Sequence, residues 1–461
     1  MSFYIKSMYS FWSKPGGLQE LLKLALPASI SQACFSIMMF TDRLLLTPLG
    51  KEAPAASMIS GFTAYLFMIF FCGLLGYITP LTGQMLGSKQ EEKVTSLVHQ
   101  GLLISWFCYP CLLFLGNLLS PNYFEWIGIS ETERNLAQDY FNIINFGSFF
   151  CLINLVFASF FSGIGKTSII MKINIVGMLI NIPLSYWLIN KGVQGHFKGV
   201  QGAALGSLIS TVFMSLLFLK SFLNPYNKER FKTNLKLRYN KSLLKKLIQF
   251  GTATGLEMTL VFVSFSTFVA LFHSYGSNEA LSATIVLNWE IVAFLPACGI
   301  GLGLMSLDGK HMGAKELENA QRTVKSGLIL TFLTMALACL LFFTQTQNLI
   351  SIFIPQGISG ASEEIMPLAS IMLKLVSLYC LANAVNLILS GTLRASGDTK
   401  AVMTIAFVGD FFMLFAAYYM IKVGHWDPLL TWTIFSCSLF IQTILLSFRF
   451  WQGHWKKIEV L

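Results

Sequence analysis

Runs of about 20 mostly apolar residues recur along the chain, separated by short polar or glycine-containing turns, and each is long enough for a hydrocarbon core of about 30 Å. The pattern predicts about twelve helical spans, at 21–48, 56–82, 97–119, 136–163, 168–190, 200–222, 243–273, 280–307, 323–345, 366–392, 399–422 and 428–451. Stretches such as Leu328 to Leu341 do not alternate apolar with polar residues, which excludes the strands of a membrane β-barrel. The expected fold class is an all-α polytopic membrane protein. Composition agrees, with 54% hydrophobic and 12% charged residues among 461, against about 25% charged in soluble chains.

The net charge of +10 changes meaning once it is located. Lys228, Arg230, Lys232, Lys236, Arg238, Lys241, Lys245 and Lys246 crowd the turn between Asn224 and Lys246 against one acid, Glu229. Such a loop marks the cytoplasmic side of a bilayer rather than a nucleic-acid surface. With short alternating loops, both termini, carrying Lys6 and Lys14 at one end and Lys456 and Lys457 at the other, fall on that side. A multi-pass protein of the inner (plasma) membrane is expected, with both termini cytoplasmic. The nine cysteines lie in apolar segments and read as small hydrophobes.

The chain also repeats itself. GLLGYITPLTGQMLGSKQEE from Gly73 lies over GIGLGLMSLDGKHMGAKELE from Gly299, pairing Leu81/Leu307, Gly83/Gly309, Gly87/Gly313, Lys89/Lys315 and Glu92/Glu318. A slightly larger shift pairs Gly165/Gly397, Thr167/Thr399, Gly177/Gly409 and Tyr186/Tyr418. Two pseudo-symmetric six-helix lobes follow, residues 1–223 and 247–461, joined by a polar, flexible basic linker at 224–246.

Carboxylates within spans are the candidate chemistry, because burying one in a bilayer costs several kcal/mol unless it meets water or a partner. Helix rise places Glu257, Glu290 and Asp410 near the midplane of the second half, and Asp42 farther along the first span. Each has a structural alternative, a hydrogen-bonded carboxylate that fixes helix packing. Gathered oxygens suit Na⁺, so Na⁺ at Glu257, Glu290 and Asp410 is one expectation, and a proton carried by a desolvated carboxylate is the other. Asn181, Asn288 and Asn383 offer neutral oxygens, and Tyr379 and Trp289 offer rings for a ligand, although packing roles are as natural for them. No phosphate-binding loop for ATP and no histidine pair with metal spacing occurs, so neither an enzyme nor a cofactor is expected.

Three stretches carry a family resemblance. PASISQACFSIMMFTDRLLLTPLGKEAPAA, with Asp42 eight residues before Gly50, resembles the first helix of the multidrug and toxic compound extrusion (MATE) family. ALSATIVLNWEIVAFLPACGIGLGLMSLDGKHMGAKE is similar to the family's segment with Asn, Pro and Gly in order, here Asn288, Pro296 and Gly299. YCLANAVNLILSGTLRASGDTK resembles its Gly-x-Leu-Arg-x-x-Gly-Asp turn. The resemblance implies two lobes around a V-shaped cavity and an antiporter that exports amphipathic organic cations in exchange for H⁺ or Na⁺. A flippase for lipid-linked precursors, of the same superfamily, is the alternative. The expected partners are small organic cations and the bilayer, not nucleic acid, and a monomer is expected. Members of the norfloxacin-exporter (NorM) branch carry a glutamate where this chain has Val261 and an aspartate where it has Asn383. Glu257, one turn earlier, together with Glu290 and Asp410, then stands for a rebuilt cation site.

Overall fold

The computed structural model describes residues 12–353 and 361–461, so Lys6 lies outside the described residues. Twelve long helices carry the chain: α1 Leu18–Leu46, α2 Glu52–Gly76, α3 Glu91–Trp126, α4 Glu131–Gly163, α5 Thr167–Lys191, α6 Val200–Phe222, α7 Lys241–His273, α8 Ser277–Gly313, α9 Leu317–Thr344, α10 Ala361–Ser396, α11 Thr399–Tyr418 and α12 Pro428–Trp451. Each is long and apolar enough to span a bilayer, and they coincide with the twelve predicted spans. Turn chemistry sets several boundaries. Gly50 closes the turn after α1 at φ 110°, and the Ser130 hydroxyl accepts from the Glu133 N–H to start α4. The main disagreement in length is α3, predicted at 97–119, which continues through polar residues at both ends.

The chain divides into two compact units, but not at the expected boundaries of 223 and 247. One holds the described residues of Met1–Ser29 with Leu256–Leu461, and the other holds Ile30–Gly255. The reason is close helix packing. In the Ile30–Gly255 unit, a Cβ at Gly73 on α2 would lie 2.5 Å from the Gly255 Cα on α7, and Tyr77 stacks on Phe250 with centroids 5.7 Å apart. In the other unit, a Cβ at Gly299 on α8 would lie 2.5 Å from the Ser29 amide nitrogen on α1, and the Ser29 hydroxyl donates to the Pro296 carbonyl at 3.1 Å. Gly73/Gly299 and Ser29/Gly255 are both separated by 226 positions, so the internal repeat is realised as the same contact in each unit. The start of α7 thus packs with α2, and the start of α1 with α8.

These contacts set a testable cost. Gly299→Ala places a methyl against backbone that cannot rotate away, and such overpacking costs about 1–3 kcal/mol. Thermal unfolding of the detergent-solubilised protein should show a fall of several degrees relative to Gly76→Ala, whose new Cβ meets nothing within 4 Å. Equal melting temperatures would mean that the crossing of α1 and α8 relaxes freely.

The basic linker is strapped down rather than flexible. It opens with a short helix, Pro225–Phe231, capped by Asn224, and Phe231 is fully buried against Phe160. Thr95 on α3 donates to the Phe231 carbonyl at 2.6 Å. His99 donates through Nε2 to the Asn234 carbonyl (2.9 Å) and accepts the Arg238 N–H at Nδ1 (3.3 Å). Gln100 donates to the Arg238 carbonyl (2.7 Å) and accepts the Asn240 N–H (3.1 Å). Arg230 forks onto both Glu91 oxygens at 2.7 and 2.8 Å. Three buried polar residues on α3, within about one and a half turns, read the linker backbone, so its charge count concealed an ordered path.

Candidate functional site

Five helices of the Leu256–Leu461 unit enclose a cavity of about 270 Å³. It is lined by Glu257 of α7, Glu290 of α8, Asn383 and Arg394 of α10, Asp410 of α11 and Gln442 of α12, with apolar side chains between them. The three acids expected at a rebuilt cation site, Glu257, Glu290 and Asp410, therefore share one space with Asn383. Val261 lines it too, because residues four apart lie on one helix face, and this is how Glu257 reaches the wall that Val261 faces.

Each acid is held by a different donor. Glu257 is 4% exposed, and Arg394 clasps it with two hydrogen bonds, Nε to Oε2 at 3.0 Å and Nη2 to Oε1. Glu290 accepts the Tyr379 hydroxyl at 2.6 Å, and that ring is fully buried with its edge on Phe435. Asp410 accepts from the Gln442 amide at 2.7 Å on Oδ1, while its buried Oδ2 has no partner. Glycine makes the last contact possible, since a Cβ at Gly409 would sit 2.6 Å from the Gln442 Nε2. The lining thus carries three acids and one guanidinium.

Among the described residues, no three His, Cys, Asp or Glu side chains gather closely enough to hold a metal ion. Arg394, Tyr379 and Gln442 each hold one of the three acids. Cys108 and Cys111, spaced Cys-x-x-Cys on α3, are both free thiols.

The other unit holds Asp42, 4% exposed on α1, which accepts the Ser207 hydroxyl of α6 at 2.6 Å. Asn181 of α5, fully buried, donates to Ser207 (3.2 Å) and Ser185 (3.3 Å). Asp42 and Asn181 thus form a polar group of their own, belonging to a different unit from Glu257.

Three expected ligand contacts are not on the cavity lining. Asn288 is exposed and donates to the Thr284 carbonyl of its own helix. Trp289 donates to the Leu349 carbonyl and packs edge-on against Phe353. Successive helix residues point about 100° apart, so with Glu290 facing the cavity its two predecessors turn elsewhere. Tyr379 acts from behind, through Glu290.

Two residues went unforeseen. Arg394 falls in the stretch that resembles the family's Gly-x-Leu-Arg-x-x-Gly-Asp turn, yet Asn383, Asn386, Ser390 and Arg394 all line the cavity at spacings of three and four, a stripe that the sequence already displayed. Asp308 is fully buried on α8 and accepts the Thr392 hydroxyl at 2.7 Å. Ending the predicted span at 307, beside Lys310, hid it.

Comparison with known proteins agrees with this architecture. The MatE family model matches residues 27–187 and 253–419, one stretch in each repeat. A probable multidrug resistance protein NorM of Mannheimia succiniciproducens is 24% identical over 443 residues, covering 94% of this chain and 93% of that protein. The probable multidrug resistance protein YoeA of Bacillus subtilis is 23% identical, covering 97% and 96%. In fold, the chain is similar to a MOP superfamily transporter from Pyrococcus furiosus, with a TM-score of 0.85 at 15% identity over 98% and 97% of the two chains. A multidrug resistance MATE family transporter solved in an outward-facing conformation gives 0.84 at 16% identity, covering 98% of each chain. With twelve apolar spans, a repeated six-helix plan and a family match in both halves, this chain belongs to the MatE family of membrane transporters.

Proposed function

We propose that the protein is a secondary antiporter that exports amphipathic organic cations, drugs among them, in exchange for H⁺ or Na⁺. The observation that carries this reading is the convergence of Glu257, Glu290 and Asp410, from three separate helices, on one cavity within the membrane-spanning region. Buried acids in such a place mark ion pathways. At about 270 Å³ the cavity falls below the size of drug pockets, roughly 300–1,000 Å³, and suits the coupling ion. Asn383 adds a neutral ligand, and Asp42 with Asn181 forms a second polar station in the other unit. The names of the relatives support drug extrusion. A lining with more acids than bases disfavours the anionic head of a lipid-linked precursor. In this reading the protein works as a monomer in the inner membrane, with both termini cytoplasmic, and needs no cofactor and no covalent chemistry.

Uptake of a fluorescent organic cation by everted membrane vesicles tests it. An imposed Na⁺ or H⁺ gradient should drive cation movement above the rate in vesicles lacking the protein. No response to either gradient would overturn the reading.

A further inference from the structure

The cavity lining holds one positive side chain, Arg394, and it occupies the Glu257 carboxylate. The guanidinium presents planar, paired donors that match a carboxylate. Its Nε and Nη2 take one Glu257 oxygen each, so the carboxylate's charge is already met by a cation while the pair stands. Both side chains are largely buried, at 17% and 5% exposure, so little solvent screens the pair. Asp410, by contrast, presents an unpartnered Oδ2 that is buried at the same cavity. The residues are placed for a contest, with one fixed cation, one engaged acid, and one acid with an open oxygen.

We propose that Arg394 is a built-in rival of the transported ion: it holds Glu257 closed in this conformation and must leave it before Glu257 can join Asp410 and Glu290 around a cation. The proposal rests on the ion-coupled reading above and deepens it. Asp410 is the first point of ion entry, and Glu257 becomes a ligand only when its tether is released. Release is itself a conformational event, because the guanidinium sits on the last turns of α10 and can swing toward Ser390 or Asp410 on the same lining. An ion that displaces Arg394 therefore changes what α7 and α10 share, which is how occupancy would be transmitted to the helices.

Ion binding to the purified full-length protein tests this, with ²²Na⁺ retention as one probe and proton uptake after an acid jump as the other. Arg394→Gln should bind its ion about tenfold more tightly than wild type or better, as expected when a close charge pair no longer competes. Arg394→Lys should fall between, because an ammonium cannot form the two-point clasp. If Arg394→Gln does not fold, Glu257→Gln is compared with Glu257→Gln/Arg394→Gln. In the single variant the freed guanidinium turns to Asp410, so the double variant should bind about tenfold more tightly. Equal or weaker binding, in whichever comparison the folded variants allow, would overturn the proposal. A wild type that fails to transport in vesicles while Arg394→Gln still tightens ion binding would refute antiport and leave the rivalry standing.

Discussion

Asp410→Asn should reduce gradient-driven cation efflux to the level of vesicles lacking the protein, while leaving the fold intact. The Asn Oδ1 can still accept the Gln442 amide, so the contact that Gly409 makes room for survives. What is lost is the buried carboxylate oxygen that faces the cavity without a partner. An amide nitrogen in its place donates where a cation needs an acceptor, and it can neither carry a proton nor offer charge. Melting temperature and expression should stay near wild type, which separates this result from misfolding. Glu290→Gln should act non-additively with it in a double-mutant cycle, since both acids would serve one ion. Full efflux by Asp410→Asn at normal expression would remove this residue from the coupling site.

The second large effect concerns the linker. Gln100 is fully buried and serves three backbone groups, donating to the Ser96 and Arg238 carbonyls and accepting the Asn240 N–H. Gln100→Leu leaves the two linker groups without partners, at about 1–3 kcal/mol for each that stays buried. Loss of only about 1.4 kcal/mol raises the open population tenfold. Trypsin should then cut between Lys232 and Arg238 at least about tenfold faster than in wild type, because cleavage follows the opened state. The same cleavage rate in both proteins would show that the strap is held by Thr95, His99 and Arg230 without help from Gln100.

The fold was largely legible because a bilayer admits few solutions, and twelve apolar runs of helical length permit no other class. The gathering of Glu257, Glu290, Asp410 and Asn383 was legible too, since depth along a helix follows from residue number. Side-chain direction was not. Asn288 and Trp289 were credited beside Glu290 although one helix face cannot present all three. The pairing of Glu257 with Arg394 was missed because a basic residue near a span's end reads as a turn, and only the 383–386–390–394 stripe would have redirected it. Linker order escaped because it rests on backbone groups met by Thr95, His99 and Gln100 more than 130 positions away.

The division of α1 between two units has a consequence for biosynthesis. Gly16 offers its carbonyl to the Ser326 hydroxyl, 310 positions later, and Ser29 donates to the Pro296 carbonyl, 267 positions later. At roughly 5–20 residues per second, the ribosome needs about 12 to 50 s to reach α8 after making Ser29. During that interval the contacts of Gly16 with Ser326 and of Ser29 with α8 cannot form. The reciprocal debt falls on α2, whose Gly73 waits for Gly255. A gene cut at the linker would therefore encode two fragments, neither containing a complete unit. Each would leave a glycine-lined helix face open to lipid or to the insertion machinery until the other arrived.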